Sequence, residues 1–180
     1  MSGRLIAIVG PSGVGKDSVM AGIVAASPKV GIVRRVITRA AEAGGEDFVA
    51  VTPQRFERMR TEGAFCLTWA AHGLLYGIPE TARDQVAEGA TLLVNLSRGV
   101  LPAAQKMFPG LLVLQLTAAP EVLARRLALR GRENAEEIKG RLARAEFAMP
   151  EGVAARRLHN DGSLDETVAQ ALTLIHPESA

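Results

Sequence analysis

The chain has 180 residues, 48% hydrophobic and 22% charged, with a formal net charge of +2 and a single cysteine. That length suits one domain, a sheet covered by helices, and the near-neutral charge sets no bulk requirement for a nucleic-acid partner. The lone Cys66 excludes an internal disulfide and a cysteine-rich zinc site.

Residues 1–4 show no signal-peptide series, and no apolar run reaches membrane-spanning length. A soluble cytoplasmic protein without membrane or nucleic-acid partners is expected. Leu5 to Val9 is a short apolar run, read as a buried strand. Gly10, Pro11, Ser12, Gly13, Val14, Gly15 and Lys16 then spell G-x-x-x-x-G-K. Such a loop turns backbone N–H groups toward phosphate, and the next helix adds the positive end of its dipole. Lys16 would reach the β- and γ-phosphates of a nucleoside triphosphate. The next position, where a Ser or Thr hydroxyl ordinarily binds Mg²⁺, holds Asp17, with Ser18 one place late. Asp17 is either a metal ligand or a helix-end acid favoured by the dipole.

Ser18 to Ala26 reads as a helix ended by Ser27-Pro28, and Gly31 to Thr38 as a second strand. Ala40 to Asp47 is an irregular excursion, and Phe48 to Val51 a short strand. Thr52 caps a helix opening at Pro53, and Gly63 ends it. Phe65 to Tyr76 reads as two short strands around a turn. A helix over Pro79–Glu88, a strand over Ala90–Leu96 and a helix over Gly99–Met107 follow, then a strand over Leu111–Leu116 and a helix over Ala119–Leu129. Gly131 to Asn134 interrupts an arginine-rich run that resumes as helix over Ala135–Phe147, the pattern of a lid. After Met149–Ala154 as a turn, Arg156 to His159 leads into Asn160-Asp161-Gly162. Ser163 and Glu166 form a capping box for a last helix to Ile175. Strands alternating with helices predict an α/β fold, with its site at the C-terminal strand ends.

Arg39 falls where a second substrate would enter and could clamp a phosphate bidentately. The Tyr76 hydroxyl could donate to the same group, whereas Trp69 and His72 are weaker candidates. Arg126, Arg130, Arg132 and Arg141 suit stabilisation of a transferring phosphoryl group.

GPSGVGK, ITR ending at Arg39, the GAF…HG-x-x-YG run from Gly63 to Gly77, RGRENAEEIKGR and Asn160-Asp161 resemble the guanylate kinase family of P-loop kinases from end to end. The resemblance implies a single P-loop kinase domain over 1–180, with a parallel sheet flanked by helices. It also implies an acceptor-binding lobe near 44–77 and a lid near 130–141. The departures are informative. Leu67 stands where the family has a guanine-reading glutamate, and Ile78 where it has a base-contacting threonine. The lobe tyrosine is replaced within Phe48-Val49-Ala50, a second arginine falls near Glu42, and the acidic pair falls within Val94 to Leu96 and is absent. A base-reading site stripped of polar partners loses discrimination.

A pocket keeping Arg39 and Tyr76 without base contacts suggests a phosphorylated sugar. Asp17, GGED, TW-x-AHG-L-x-YG and RGREN resemble the branch of the family that phosphorylates ribose 1,5-bisphosphate. That branch implies ATP and Mg²⁺, with 5-phospho-α-D-ribose 1-diphosphate and ADP as products and the sugar's 5-phosphate as the accepting group. It places Lys16 and Mg²⁺ on the donor, Arg39 and Tyr76 on the acceptor phosphate, and Arg130 and Arg141 on the transferring group. Trp69 and His72 would touch the ribose or its 1-phosphate, Asn160 would lie near the adenine, and Arg132 in the lid. The rivals are a guanylate or other nucleoside monophosphate kinase, whose base contacts are missing, and a non-catalytic module, which commonly lacks the P-loop retained here. A homodimer is open, since nothing in the sequence sets the oligomeric state.

Overall fold

Strand β1, Arg4–Val9, divides the core because successive side chains of a strand face opposite ways. Leu5, Ala7 and Val9 enter one apolar cluster, and Ile6 and Ile8 enter another. The computed structural model describes residues 3–43, 45–129, 131, 137–138, 140, 142 and 148–176. Within them β1 pairs in parallel with β7, Thr91–Asn95, and with β8, Leu112–Thr117. Strands β2, Val30–Ile32, and β9, Arg156–His159, complete a five-stranded parallel sheet of order β2-β7-β1-β8-β9. Both faces are covered, as an all-parallel sheet requires.

On one face, α3 (Glu80–Ala87) and α4 (Leu101–Met107) add Ala82, Leu101 and Ala104 to the cluster around Leu5. On the other, α1 (Lys16–Ala26) and α6 (Leu164–Ile175) add Val19, Ile23, Val168 and Ala171 to the cluster around Ile6. These two helices approach closely at Gly22, where an added Cβ would lie 2.6 Å from Val168. Helix α5, Pro120–Leu129, seats Leu123 in this second cluster.

A smaller sheet of order β4-β3-β6-β5 forms the lobe: β3 is Val36–Ile37, β4 Val49–Ala50, β5 Phe65–Ala71 and β6 Leu74–Pro79. Helix α2, Pro53–Thr61, starts where Thr52 Oγ1 accepts from the Arg55 N–H at 3.1 Å. Phe56 then stacks on Phe65 with ring centroids 4.7 Å apart. The lobe interior is continuous with the main core, since Leu67 and Ile78 belong to the Leu5 cluster.

Two elements differ from expectation. The strand expected over Gly31–Thr38 is split between the sheets. Val33 N–H donates to Leu93 O in the main sheet at 2.8 Å, whereas Arg35 O accepts from Val49 N–H in the lobe at 2.8 Å. The lobe sheet therefore begins at Val36. Arg156–His159, expected only as a lead-in, is the edge strand β9. The helix expected over 135–147 is described only at residues 137, 138, 140 and 142, which are helical.

The capping box forms as expected: Ser163 Oγ accepts from the Glu166 N–H, and Glu166 Oε2 from the Ser163 N–H, each at 3.3 Å. Ser163→Ala should cost about 1 kcal/mol, read by calorimetry as a fall in Tm of about 2–4 °C.

Candidate active site

The loop after β1 is shaped by three glycines. At Gly10 an added Cβ would meet Leu116 O at 2.7 Å and Val14 Cγ1 at 2.9 Å, so the chain can leave the sheet there only without a side chain. Gly13 and Gly15 have φ of 82° and 96°, the left-handed region that other residues occupy under strain. Gly15 is the N-cap of α1 and brings no capping side chain. The N–H groups of the first turn therefore face outward with the helix dipole behind them, the arrangement that binds phosphate. Lys16 Nζ donates to Gly10 O at 2.7 Å and Pro11 O at 3.2 Å, holding the ammonium over the loop. Val14 is buried beneath it, and Ser12 and Ser18 are exposed at its rim.

The underside of the loop is held by residues far away in sequence. Val14 O accepts from Asn160 Nδ2 at 2.8 Å and from Arg126 Nη1 at 3.2 Å, and Arg126 Nη2 donates to Asn160 O at 2.7 Å. Asn160 was expected beside the adenine; its side chain is instead buried against the loop. Arg126, expected among the arginines on the transferring phosphoryl group, is likewise bound to loop and turn backbone. Arg130, Arg132 and Arg141 lie outside the described residues.

Asp17 is exposed in the first turn of α1. With Met20 and Ala21 it forms one side of a cleft of about 380 Å³, whose other residues are Ile32, Arg34, Gly45, Glu46 and Asp47. A hard carboxylate beside the P-loop lysine is a suitable ligand for Mg²⁺, which ordinarily takes one or two carboxylates and fills its octahedron with phosphates and water. The chemistry of the site fits Mg-ATP.

The lobe side of the site is built around an aromatic pair. Trp69 and Tyr76 face each other across β5 and β6, with ring centroids 5.2 Å apart and planes 7° from parallel. Trp69 Nε1 donates to Ser97 Oγ at 2.9 Å, just beyond β7. The Arg35 guanidinium lies 5.0 Å from the Tyr76 ring centroid and 6.0 Å from that of Trp69. It makes a two-pronged pair with Glu46 and donates from Nη1 to Asn95 O at 3.1 Å. Arg39 is stacked over Phe48 at 4.2 Å.

Arg35 was not expected as a site residue. It lies in a stretch where Val33, Arg35, Val36 and Ile37 are all buried and Arg34 is exposed, so no clean alternation marks it in sequence. His72 takes φ of 52° and Gly73 φ of 73° at the two-residue tip of the β5–β6 hairpin. The tip lies about 10 Å along the hairpin from the Trp69–Tyr76 rung. Leu67 and Ile78 face each other across the same hairpin and are 6% and 0% exposed, so neither side chain offers a polar group there. Cys66 beside them is no nucleophile at neutral pH, because burial and then the Glu80 charge push its thiol up to about 11.

A curated ribose 1,5-bisphosphate phosphokinase PhnN of Ruegeria sp. strain TM1040 is 51% identical over 182 residues, spanning 99% of this chain and 94% of that one. The chain belongs to the ribose 1,5-bisphosphate phosphokinase family. A second family member, from Pseudomonas paraeruginosa strain PA7, is 48% identical and spans 100% of this chain and 99% of its own. Among solved structures, a guanylate kinase of Anaplasma phagocytophilum matches with a TM-score of 0.71 at 19% identity, over 98% of this chain and 86% of that one. The phosphokinase thus has a guanylate-kinase-like fold. No protein-family model matches the chain.

Gly15→Ala places a Cβ 2.7 Å from Asn160 Nδ2 on a backbone with φ of 96°. Both effects act on the phosphate loop. The expected outcome is a loss of Mg-ATP affinity of at least about tenfold, measured by titration calorimetry, with the far-UV circular dichroism retained.

Proposed function

We propose that this chain transfers the γ-phosphoryl group of ATP to ribose 1,5-bisphosphate, forming 5-phospho-α-D-ribose 1-diphosphate and ADP. One observation carries this reading. A complete phosphate loop is paired with an acceptor lobe whose base-reading positions, Leu67 and Ile78, are packed in the core. Atom balance corrects the accepting group. The product bears its diphosphate on C1, so the new P–O–P bond forms at the 1-phosphate and the 5-phosphate is unchanged.

The accepting oxygen is already anionic, so no protein nucleophile or strong base is needed, and catalysis is alignment with charge neutralisation. Lys16 and the N–H groups from Gly15 to Ser18, at the start of α1, hold the donor phosphates. Arg39 and Tyr76 hold the acceptor phosphate, and Trp69 forms a wall for the ribose. His72 is assigned to the hairpin turn rather than to the sugar. Asn160 serves the nucleotide through the position of the loop. Arg130 and Arg141 are assigned to the transferring group and Arg132 to the nucleotide, on their resemblance to the family's lid. Mg²⁺ held by Asp17 would supply positive charge at the donor phosphates.

Lys16, Arg39 and Tyr76 come from one chain, so the reading requires no homodimer. Among the described residues no helix is long and apolar enough to cross a membrane. The reading places the enzyme in the cytoplasm, where a lone thiol stays reduced.

ADP formation measured side by side with ribose 1,5-bisphosphate, GMP and AMP tests the acceptor. The sugar should be preferred in kcat/KM by about 100-fold or more, and preference for GMP would overturn the assignment. Asp17→Ser tests the metal ligand. It should raise the Mg²⁺ concentration for half-maximal activity several-fold with Tm unchanged, whereas an unchanged Mg²⁺ profile would reduce Asp17 to a helix-end residue.

A further inference from the structure

The clamp beneath the phosphate loop has a deeper member. Thr167, on the first turns of α6, is 1% exposed, and its Oγ1 lies 2.8 Å from Asn160 Oδ1. Oγ1 also lies 3.3 Å from His159 O and 3.4 Å from Ser163 O, so the contact with Asn160 is the shortest of the three.

The directions of these bonds are forced. Val14 O can only accept, so the Asn160 atom facing it is the amide nitrogen. The amide oxygen then faces Thr167, whose hydroxyl makes its shortest contact by donating to it. Reversing the amide would set oxygen against the Val14 carbonyl. The Thr167 hydroxyl thus selects the orientation in which Asn160 pulls on the loop.

The peptide joining Val14 to Gly15 is planar and trans, so its carbonyl and N–H point in opposite directions. Asn160 and Arg126 hold the carbonyl toward the protein interior. The Gly15 N–H is thereby aimed away from that interior, into the concave side of the loop where phosphate binds.

We infer that Thr167 is a positioning residue for the nucleotide, acting through Asn160 to aim the Gly15 N–H at the donor phosphates. This rests on the reading of the loop as the ATP site. Thr167 touches no substrate and lies at the opposite end of the chain from the loop it orients.

The test is Thr167→Val, which keeps the shape and removes the donor, set against Thr167→Ser, which restores it. Mg-ATP affinity is measured by calorimetry without acceptor, so the result bears on Thr167 whatever acceptor the enzyme uses. The valine variant should bind Mg-ATP about tenfold more weakly, with the KM for ribose 1,5-bisphosphate within about twofold of wild type. The serine variant should stay within about twofold for both. A folded valine variant with unchanged Mg-ATP affinity, or with both substrates weakened equally, overturns the inference. Should the valine variant not fold, Thr167→Cys carries the test with a weak donor of similar size. A several-fold loss confined to Mg-ATP supports the inference, and unchanged affinity overturns it.

Discussion

The phosphate loop depends on the direction of a single peptide, the one between Val14 and Gly15. Its carbonyl is satisfied from below by an amide and a guanidinium, which leaves its N–H for the side where phosphate arrives. Gly15 must then turn the chain directly into α1, and its φ of 96° does so only without a side chain. The same glycine leaves room for Asn160, whose Nδ2 would lie 2.7 Å from any added Cβ. Conformation and space therefore impose the same residue. The donors come from α5 and from the turn after β9, so a loop made by residues near the start of the chain is complete only when its end has folded.

The acceptor lobe is referenced to the same edge of the sheet. Arg35 donates to Asn95 O and Trp69 to Ser97 Oγ, both at the C-terminal end of β7. Asn95 is the register partner of Ile8, near the end of the strand that feeds the phosphate loop. Two lobe side chains thus fix the lobe relative to the phosphate loop. The link is an ion pair as well as a hydrogen bond, since Glu46 neutralises the buried Arg35. A buried pair of this kind contributes little net stability against an apolar substitute, but losing one partner leaves an uncompensated charge at a cost of about 3–5 kcal/mol. Its value here is placement: the guanidinium sits against Tyr76 and Trp69 while holding the loop that carries Glu46.

Local patterns made much of this legible in sequence. The run Leu5–Val9 marks β1, G-x-x-x-x-G-K marks the loop, and Thr52-Pro53 and Ser163 with Glu166 mark two helix starts by cap chemistry. Each signal lies within a few residues. What escaped depends on distant partners. The run from Gly31 to Thr38, apolar on both sides of Arg34-Arg35, gives no sign that its halves pair with different sheets, because the partners, Leu93 and Val49, are chosen by tertiary structure. Asn160 and Arg126 read as ligand contacts because a polar residue beside a site offers the same letter whether it faces substrate or backbone. Arg35 was not visible, since Arg34 and Arg35 are the same letter in adjacent places and only the fold buries one of them against Glu46.

On the proposed reading, specificity in this enzyme is written into its core. The resemblance to guanylate kinases implies a base-reading glutamate at the position of Leu67. Here Leu67 packs opposite Ile78 in the cluster that also contains Leu5 and Val94. Losing the base contact and filling the core are therefore one event. Restoring a carboxylate at Leu67 alone would bury a charge among aliphatic side chains without a partner, which either costs stability or raises the acid's pKa until it is neutral. A neutral acid cannot reproduce the acceptor-only edge of a carboxylate. On the proposed reading, base recognition would require repacking around both positions, the same contacts that join the lobe to the sheet.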